Sequence, residues 1–123
     1  MIKLKFKNRA VFNEVLAAPY HFKMIQILIW LTERYEVVIT SGYRHKDKGV
    51  HGTVPCRGVD IRSNIFDNPK ELVGIINDVW IYDTNRKDMR CAMLHDTGSG
   101  EHIHLQVHPN TLFMGDTDAS LSK

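Results

Sequence analysis

The stretch CAMLHDTGSGEHIHLQVH, residues 91–108, decides the architecture. Its ends, CAMLH (91–95) and HIHLQV (102–107), read as strands. The turn-rich DTGSG (96–100) between them suits a β-hairpin. A strand shows alternate residues to one face. His102, His104, Gln106 and His108 therefore share a face, with Ile103, Leu105 and Val107 on the other. The apolar face is expected on a core and the histidine face in a cleft or in solvent. Glu101 has the opposite parity to His104. It follows Gly100, however, and a backbone bend between Gly100 and His102 would turn it into the same cleft.

Upstream, the pattern supplies what such a hairpin packs against. Residues 20–34 are apolar nearly all round, which predicts a buried central helix with Pro19 at its start. EVVIT (36–40) is β-branched and reads as a strand. A loop over 41–56 carries Gly42, Gly49, Gly52 and Pro55, and RGVDIRS (57–63) reads as a second strand. DNPKELVGIINDVW (67–80) carries helix signals: Asn68 as cap, Pro69 in the first turn and Glu71 three residues on. Leu72, Ile75, Ile76 and Val79 make its buried face. Ile2, Leu4 and Phe6 alternate with lysines, as in an edge strand or extended arm. The order of elements predicts an α+β fold, an antiparallel sheet backed by helices.

The bulk numbers set bounds on function. A chain of 123 residues fits a single domain over 1–123, with the tail from Gly115 onward expected to fray. A formal charge of +2 is too mild to argue for nucleic acid. MIKLKFKN is no signal peptide, and the apolar run MIQILIWL (24–31) is too short to cross a bilayer. The expectation is a soluble, monomeric chain made in the cytoplasm, with no membrane partner. Cys56 and Cys91 are expected as reduced thiols; Cys56, between two candidate ligands, could offer a soft ligand but is read as packing.

Three polar stretches carry chemistry. In the first, Glu101 stands three residues before His104, so an imidazole can bind a metal while the acid takes a proton from the attacking water. In the second, His51 precedes a glycine-rich loop and Asp60 lies inside an apolar strand. A carboxylate there needs a partner, and a divalent metal is one. Two histidines and one aspartate leave a fourth tetrahedral position open, as catalytic zinc requires. His45, on the same loop as His51, is a rival ligand. In the third, TSGYRH (40–45), Arg44 is a fixed cation at a strand end, suited to a carboxylate or an oxyanion. His95 and Asp96 are expected as turn residues, and His21 and His108 as structural or surface groups.

The series SGYRH, then His51 and Asp60, then Glu-x-x-His resembles the zinc D-Ala-D-Ala carboxypeptidase and L-alanyl-D-glutamate endopeptidase family. That family shares its metal fold with hedgehog signalling domains. The resemblance runs from about Met24 to Pro109 and is nearest to small phage-borne members. It implies His51, Asp60 and His104 as ligands of one zinc ion, Glu101 as general base and Arg44 as the substrate or transition-state clamp. His102 and Ser41 would line the site. The implied function is hydrolysis of an amide bond in peptidoglycan stem peptides. Without a signal peptide, action at the cell wall would need holin-type release or virion packaging. The chain departs from the family in spacing His51 and Asp60 nine apart instead of seven, and in having Gly49 where a serine is usual. Two other classes compete. One is a zinc-stabilised binding or virion module without turnover. The other is a His-hydrophobic-His nuclease, which would need a tyrosine after the motif, and none follows His108.

Overall fold

The computed structural model describes residues 3–96, 98 and 100–115. The tail expected to fray lies, beyond Gly115, outside the described residues. The elements run β1 (Leu4–Phe6), α1 (Arg9–Leu16), α2 (Phe22–Thr32), β2 (Val37–Ser41), a single 3-10 turn (Val50–Gly52) and β3 (Gly58–Arg62). They continue with α3 (Pro69–Val79), β4 (Trp80–Ile81), β5 (Ala92–Asp96), β6 (Glu101–Gln106) and β7 (Leu112–Phe113). This is the expected α+β arrangement with a mostly antiparallel sheet. Its strand order is β1-β2-β3-β6-β5, with β1 and β2 paired in parallel and the other neighbours antiparallel. Strands β4 and β7 form a separate two-stranded ladder. No helix among the described residues is long and apolar enough to cross a membrane.

The hydrophobic cluster joins one face of the sheet to the helices. Val59 and Ile61 of β3 and Ile103 and Leu105 of β6 meet Met24, Ile27 and Leu31 of α2 and Leu72 and Ile76 of α3. Helix α3 starts as its sequence predicts. Asn68 caps it by accepting the Glu71 N–H at 3.1 Å, with Pro69 in the first turn.

Helix α2 differs from the expectation in two ways. It begins at Phe22, because Pro19 and Tyr20 are extended: the Pro19 carbonyl takes the Cys56 N–H at 2.8 Å, and Tyr20 bridges to Cys56. His21 then caps the helix, its Nδ1 accepting the Lys23 N–H at 3.1 Å. Nor is α2 buried all round, since Phe22, Ile25 and Ile29 are exposed. Helix α1 is not among the expected elements, although Asn8 caps it and Val11, Phe12, Val15 and Leu16 recur at helical spacing. It buries only Val11 and is held at its start by Asn8, whose side chain accepts the Val11 N–H at 2.9 Å.

Candidate metal centre

The site lies on the sheet face opposite the core. In the β3–β6 ladder Asp60 sits directly across from His104, and Arg62 across from His102. In the β5–β6 ladder His95 sits across from His102. Strand β2 joins through an irregularity: Ile39 pairs with Ile61, yet Ser41 pairs with Asp60, so Thr40 is an extra residue. Such a bulge re-aims the strand end. Here it sets Ser41 and the loop that follows beside Asp60. His51 arrives from the 3-10 turn, which packs on β3 at Gly58. A Cβ at Gly58 would come within 2.6 Å of Val50 Cγ2, so a larger residue would push this turn away.

Three expected ligands converge. His51 Nε2 lies 3.1 Å and His104 Nδ1 2.9 Å from Asp60 Oδ1. The ligand atoms of His51, Asp60 and His104 all fall within 4.8 Å of one another. His51 and Asp60 are buried at 3% and 5% exposure. Burial alone would push the Asp60 carboxyl up. Hydrogen bonds from His104 and His51, with the charges of His51 and His102 nearby, outweigh it and hold the group well below the usual carboxylate range.

The outer nitrogens of both rings are already committed. His51 Nδ1 lies 2.8 Å from the Gly42 carbonyl, which can only accept, so Nδ1 carries the proton. His104 Nε2 lies 3.1 Å from Gln106 Oε1. The Gln106 amide is fixed that way round because its Nε2 donates to the Arg90 carbonyl at 2.8 Å. In the neutral rings the inner nitrogens therefore present lone pairs, both aimed at one carboxylate oxygen, and the hydrogen bonds to Asp60 form only when each ring carries a second proton. Three electron-pair donors facing one another in a dry site repel unless a cation or extra protons join them. Two imidazoles and a carboxylate, with carbonyl acceptors behind the rings, are a donor set that suits zinc.

Gly42 is itself held in place. Its N–H donates to Glu14 Oε2 of α1 at 3.1 Å, and the Tyr43 N–H donates to the Tyr20 hydroxyl at 2.7 Å. Burial pushes that hydroxyl well above the usual tyrosine range, so it stays protonated. Gln106, Gly42, Glu14 and Tyr20 were not picked out from the sequence. Only Gln106, two residues beyond His104 on the same strand face, had a pattern that pointed to it.

Arg44 stands at the rim. Its Nη1 is 3.9 Å from Asp60 Oδ2 and donates to Ser41 Oγ at 3.2 Å, while Nη2 pairs with Asp47 at 3.2 Å. His102 Nε2 is 3.5 Å from Asp60 Oδ2. His95 is no turn residue: it lies in β5, and its ring meets those of His102 and His104 edge-on at 5.4 and 6.1 Å. Asp96 is likewise paired in β5, opposite Glu101.

Glu101 differs from its expectation. Gly100 has a positive φ of 115°, so the chain turns there. From Glu101 onward β6 is regular, paired with Asp96 on one side and continuous through His104. The expected bend between Gly100 and His102 is absent, because the turn is completed one residue earlier. Glu101 is exposed and lines the same cleft as Arg44, Asp60 and His102. Its carboxylate makes no hydrogen bond or ion pair among the described residues.

The rival His45 is exposed and shares a 3.2 Å hydrogen bond with the Tyr43 hydroxyl. Cys56 is fully buried, with Sγ 3.3 Å from the Gly58 carbonyl, and burial pushes its thiol up. Both observations leave the three-ligand cluster as it stands. Comparison of the chain with protein-family models, with curated proteins and with solved structures returns no match.

Proposed function

We propose that this chain is a zinc-dependent peptidase that hydrolyses an amide bond in peptidoglycan stem peptides, on the fold of the zinc DD-peptidase and hedgehog group. The observation that carries the proposal is the convergence of His51, Asp60 and His104, with both imidazoles turned inward by acceptors on their outer nitrogens. Arg44 beside the cluster supports it, whereas the regular strand through Glu101 counts against the general-base part of the mechanism.

Zinc, when bound, supplies a Lewis acid for the scissile carbonyl and lowers the pKa of the attacking water. The chain's own residues do the rest. His51, Asp60 and His104 hold the ion, while Gly42 and Gln106 fix the two rings. Arg44 holds a substrate carboxylate or the developing oxyanion. Glu101 takes the proton as the water oxygen bonds to the carbonyl carbon, then passes it to the leaving amine as the C–N bond breaks. The substrate is a stem peptide, and the chain would reach it through holin-type release or as part of a virion.

One observation favours a second reading. The Glu101 carboxylate lies outside the polar strand face and has no contact with the cluster. That arrangement also suits a zinc-stabilised binding or virion module without turnover. Digestion of purified peptidoglycan by the zinc-loaded protein, with mass spectrometry of the fragments, separates the two. Released peptides that disappear on chelation and return with zinc support the peptidase. Stoichiometric zinc without any released fragment supports the module, and absence of zinc binding overturns both.

A further inference from the structure

The chain's positive charge is concentrated at one edge of the sheet. Residues 3–17 hold Lys3, Lys5, Lys7 and Arg9 against the single acid Glu14, a balance of +3. The whole chain carries +2, so the remaining residues balance at −1. Glu14 is turned to the Gly42 N–H, and Lys5 is paired with Glu36 at 3.2 Å. Lys3, Lys7 and Arg9 are exposed and meet no acid within ion-pair distance among the described residues.

Bulky apolar side chains stand beside these cations. Phe12 and Leu16 are 43% and 66% exposed. They lie four residues apart on one flank of α1, with Arg9 three before Phe12. The Phe6 ring of β1 meets the Phe12 ring edge-on at 5.1 Å, and Leu4, on the same strand face as Phe6, is exposed as well. An open cleft here is lined by Phe6 and Phe12 together with Lys5 and Arg9. Lys3 and Lys7 flank β1, and their long stems can bring the ammonium groups round the strand edge.

An apolar ridge bordered by cations complements a bilayer with anionic headgroups. Phosphates take the cations, and the acyl boundary takes the apolar side chains. A soluble polyanion would use the cations and leave Phe12 and Leu16 in water. An apolar protein surface would gain nothing from the cations. Strand β1 is the outermost of the sheet, so its outward backbone groups have no strand partner. Unpaired backbone does not enter hydrocarbon, which limits the contact to headgroup depth, where water and phosphate remain. The candidate metal ligands on β3 and β6 begin two strands further in, about 10 Å away, so this edge can rest on a bilayer without covering them.

We propose that the β1–α1 face binds the surface of an anionic bilayer. Lys3, Lys7 and Arg9 meet the headgroup phosphates, and Phe12 and Leu16 reach the acyl boundary. This binding is independent of the peptidase reading. It departs from the expectation of no membrane partner, which rested on the lack of a segment long enough to cross.

The test is co-sedimentation of the whole chain with vesicles, either of phosphatidylglycerol and phosphatidylcholine in equal parts or of phosphatidylcholine alone. Partitioning should be about 10-fold or more stronger on the anionic vesicles and should fall as salt is raised. Lys3→Gln, Lys7→Gln and Arg9→Gln together should weaken it about 100-fold, at about 5-fold per cation. Phe12→Ser with Leu16→Ser should weaken it about 10-fold or more at unchanged charge. Leu16→Ser alone changes the more exposed of the two, and should still cost about 3-fold if the double variant fails to fold. No partitioning onto the anionic vesicles, or equal partitioning onto both kinds, overturns the proposal. Anionic binding that survives the three glutamines overturns it too, by placing the contact on another face. Binding that the serines leave unchanged would be a purely ionic contact with polyanions in general, and overturns the bilayer as the partner.

Discussion

The two faces of the β3–β6 pair share one backbone register and opposite chemistry. On the core face Val59, Ile61, Ile103 and Leu105 are almost wholly buried against α2 and α3. On the other face Asp60, Arg62, His102 and His104 alternate with them. The core face repays its ordering through apolar area removed from water. The polar face buries a carboxylate and two imidazoles, which hydrophobic burial does not reward. The core face accounts for the fold, and the polar face gathers the groups that could hold a metal ion. Substitutions a single residue apart should therefore fail in different ways.

The largest effect is expected at His104→Ala. It should abolish zinc binding and hydrolysis while the far-ultraviolet circular dichroism of the metal-free protein stays as in wild type. Its neighbour Ile103→Ala should do the reverse. It removes a fully buried side chain and should cost about 2–5 kcal/mol of unfolding free energy. Below its own midpoint it should still bind one zinc, by metal analysis of the folded fraction. If His104→Ala unfolded the chain as severely as Ile103→Ala, the division between the faces would be wrong.

The hairpin and the helix over 69–79 were legible because periodicity and capping residues speak through local geometry. The alternation in HIHLQV placed the histidines on one face, and Asn68-Pro69 marked a helix start. That Asp60 would have partners was legible because an aspartate inside an apolar strand needs them wherever it lies, and His51 and His104 do gather around it. What stayed hidden depends on contacts between distant segments. Nothing local shows that the Gly42 carbonyl sits behind His51, or that the Thr40 bulge brings Ser41 opposite Asp60. The short helix α1 lay outside the expected elements although Val11, Phe12, Val15 and Leu16 form an apolar stripe, of which only Val11 is buried. Parity fixed the side of β6 on which Glu101 starts. Where the turn ended, at Gly100 instead of beyond it, was set by glycine's freedom at positive φ.

Turnover separates Glu101 from His102 on the polar side of this comparison. Glu101→Gln should keep one zinc and lower kcat about 100- to 10,000-fold, the range for losing a general base. His102→Gln has the closer geometry to Asp60 but no assigned proton transfer, so it should cost less. If His102→Gln proved the more damaging in kcat with zinc retained, the base would be His102, and the exposed Glu101 would be a bystander. Gln106→Leu should act more mildly, weakening zinc affinity about 10- to 100-fold in competition with a chelator, because it frees the His104 ring without removing a ligand. An unchanged affinity would show that Gln106 does not orient the ring.

The smallest effect concerns the metal-free protein in acid. Asp60 has a folded pKa held below its ordinary value, so its ionised form is favoured in the folded state. Such a group stabilises the fold above its unfolded pKa of about 3.9, and loses that contribution as pH falls through the folded value. The stability difference between wild type and Asp60→Asn, followed by urea unfolding without metal, should therefore hold from neutral pH to about pH 5 and decline below it. A difference already gone by pH 6 would mean that the carboxylate is not the group being titrated. The polar face would then owe its order to the state of its imidazoles, and Asp60 would matter only once the ion is bound.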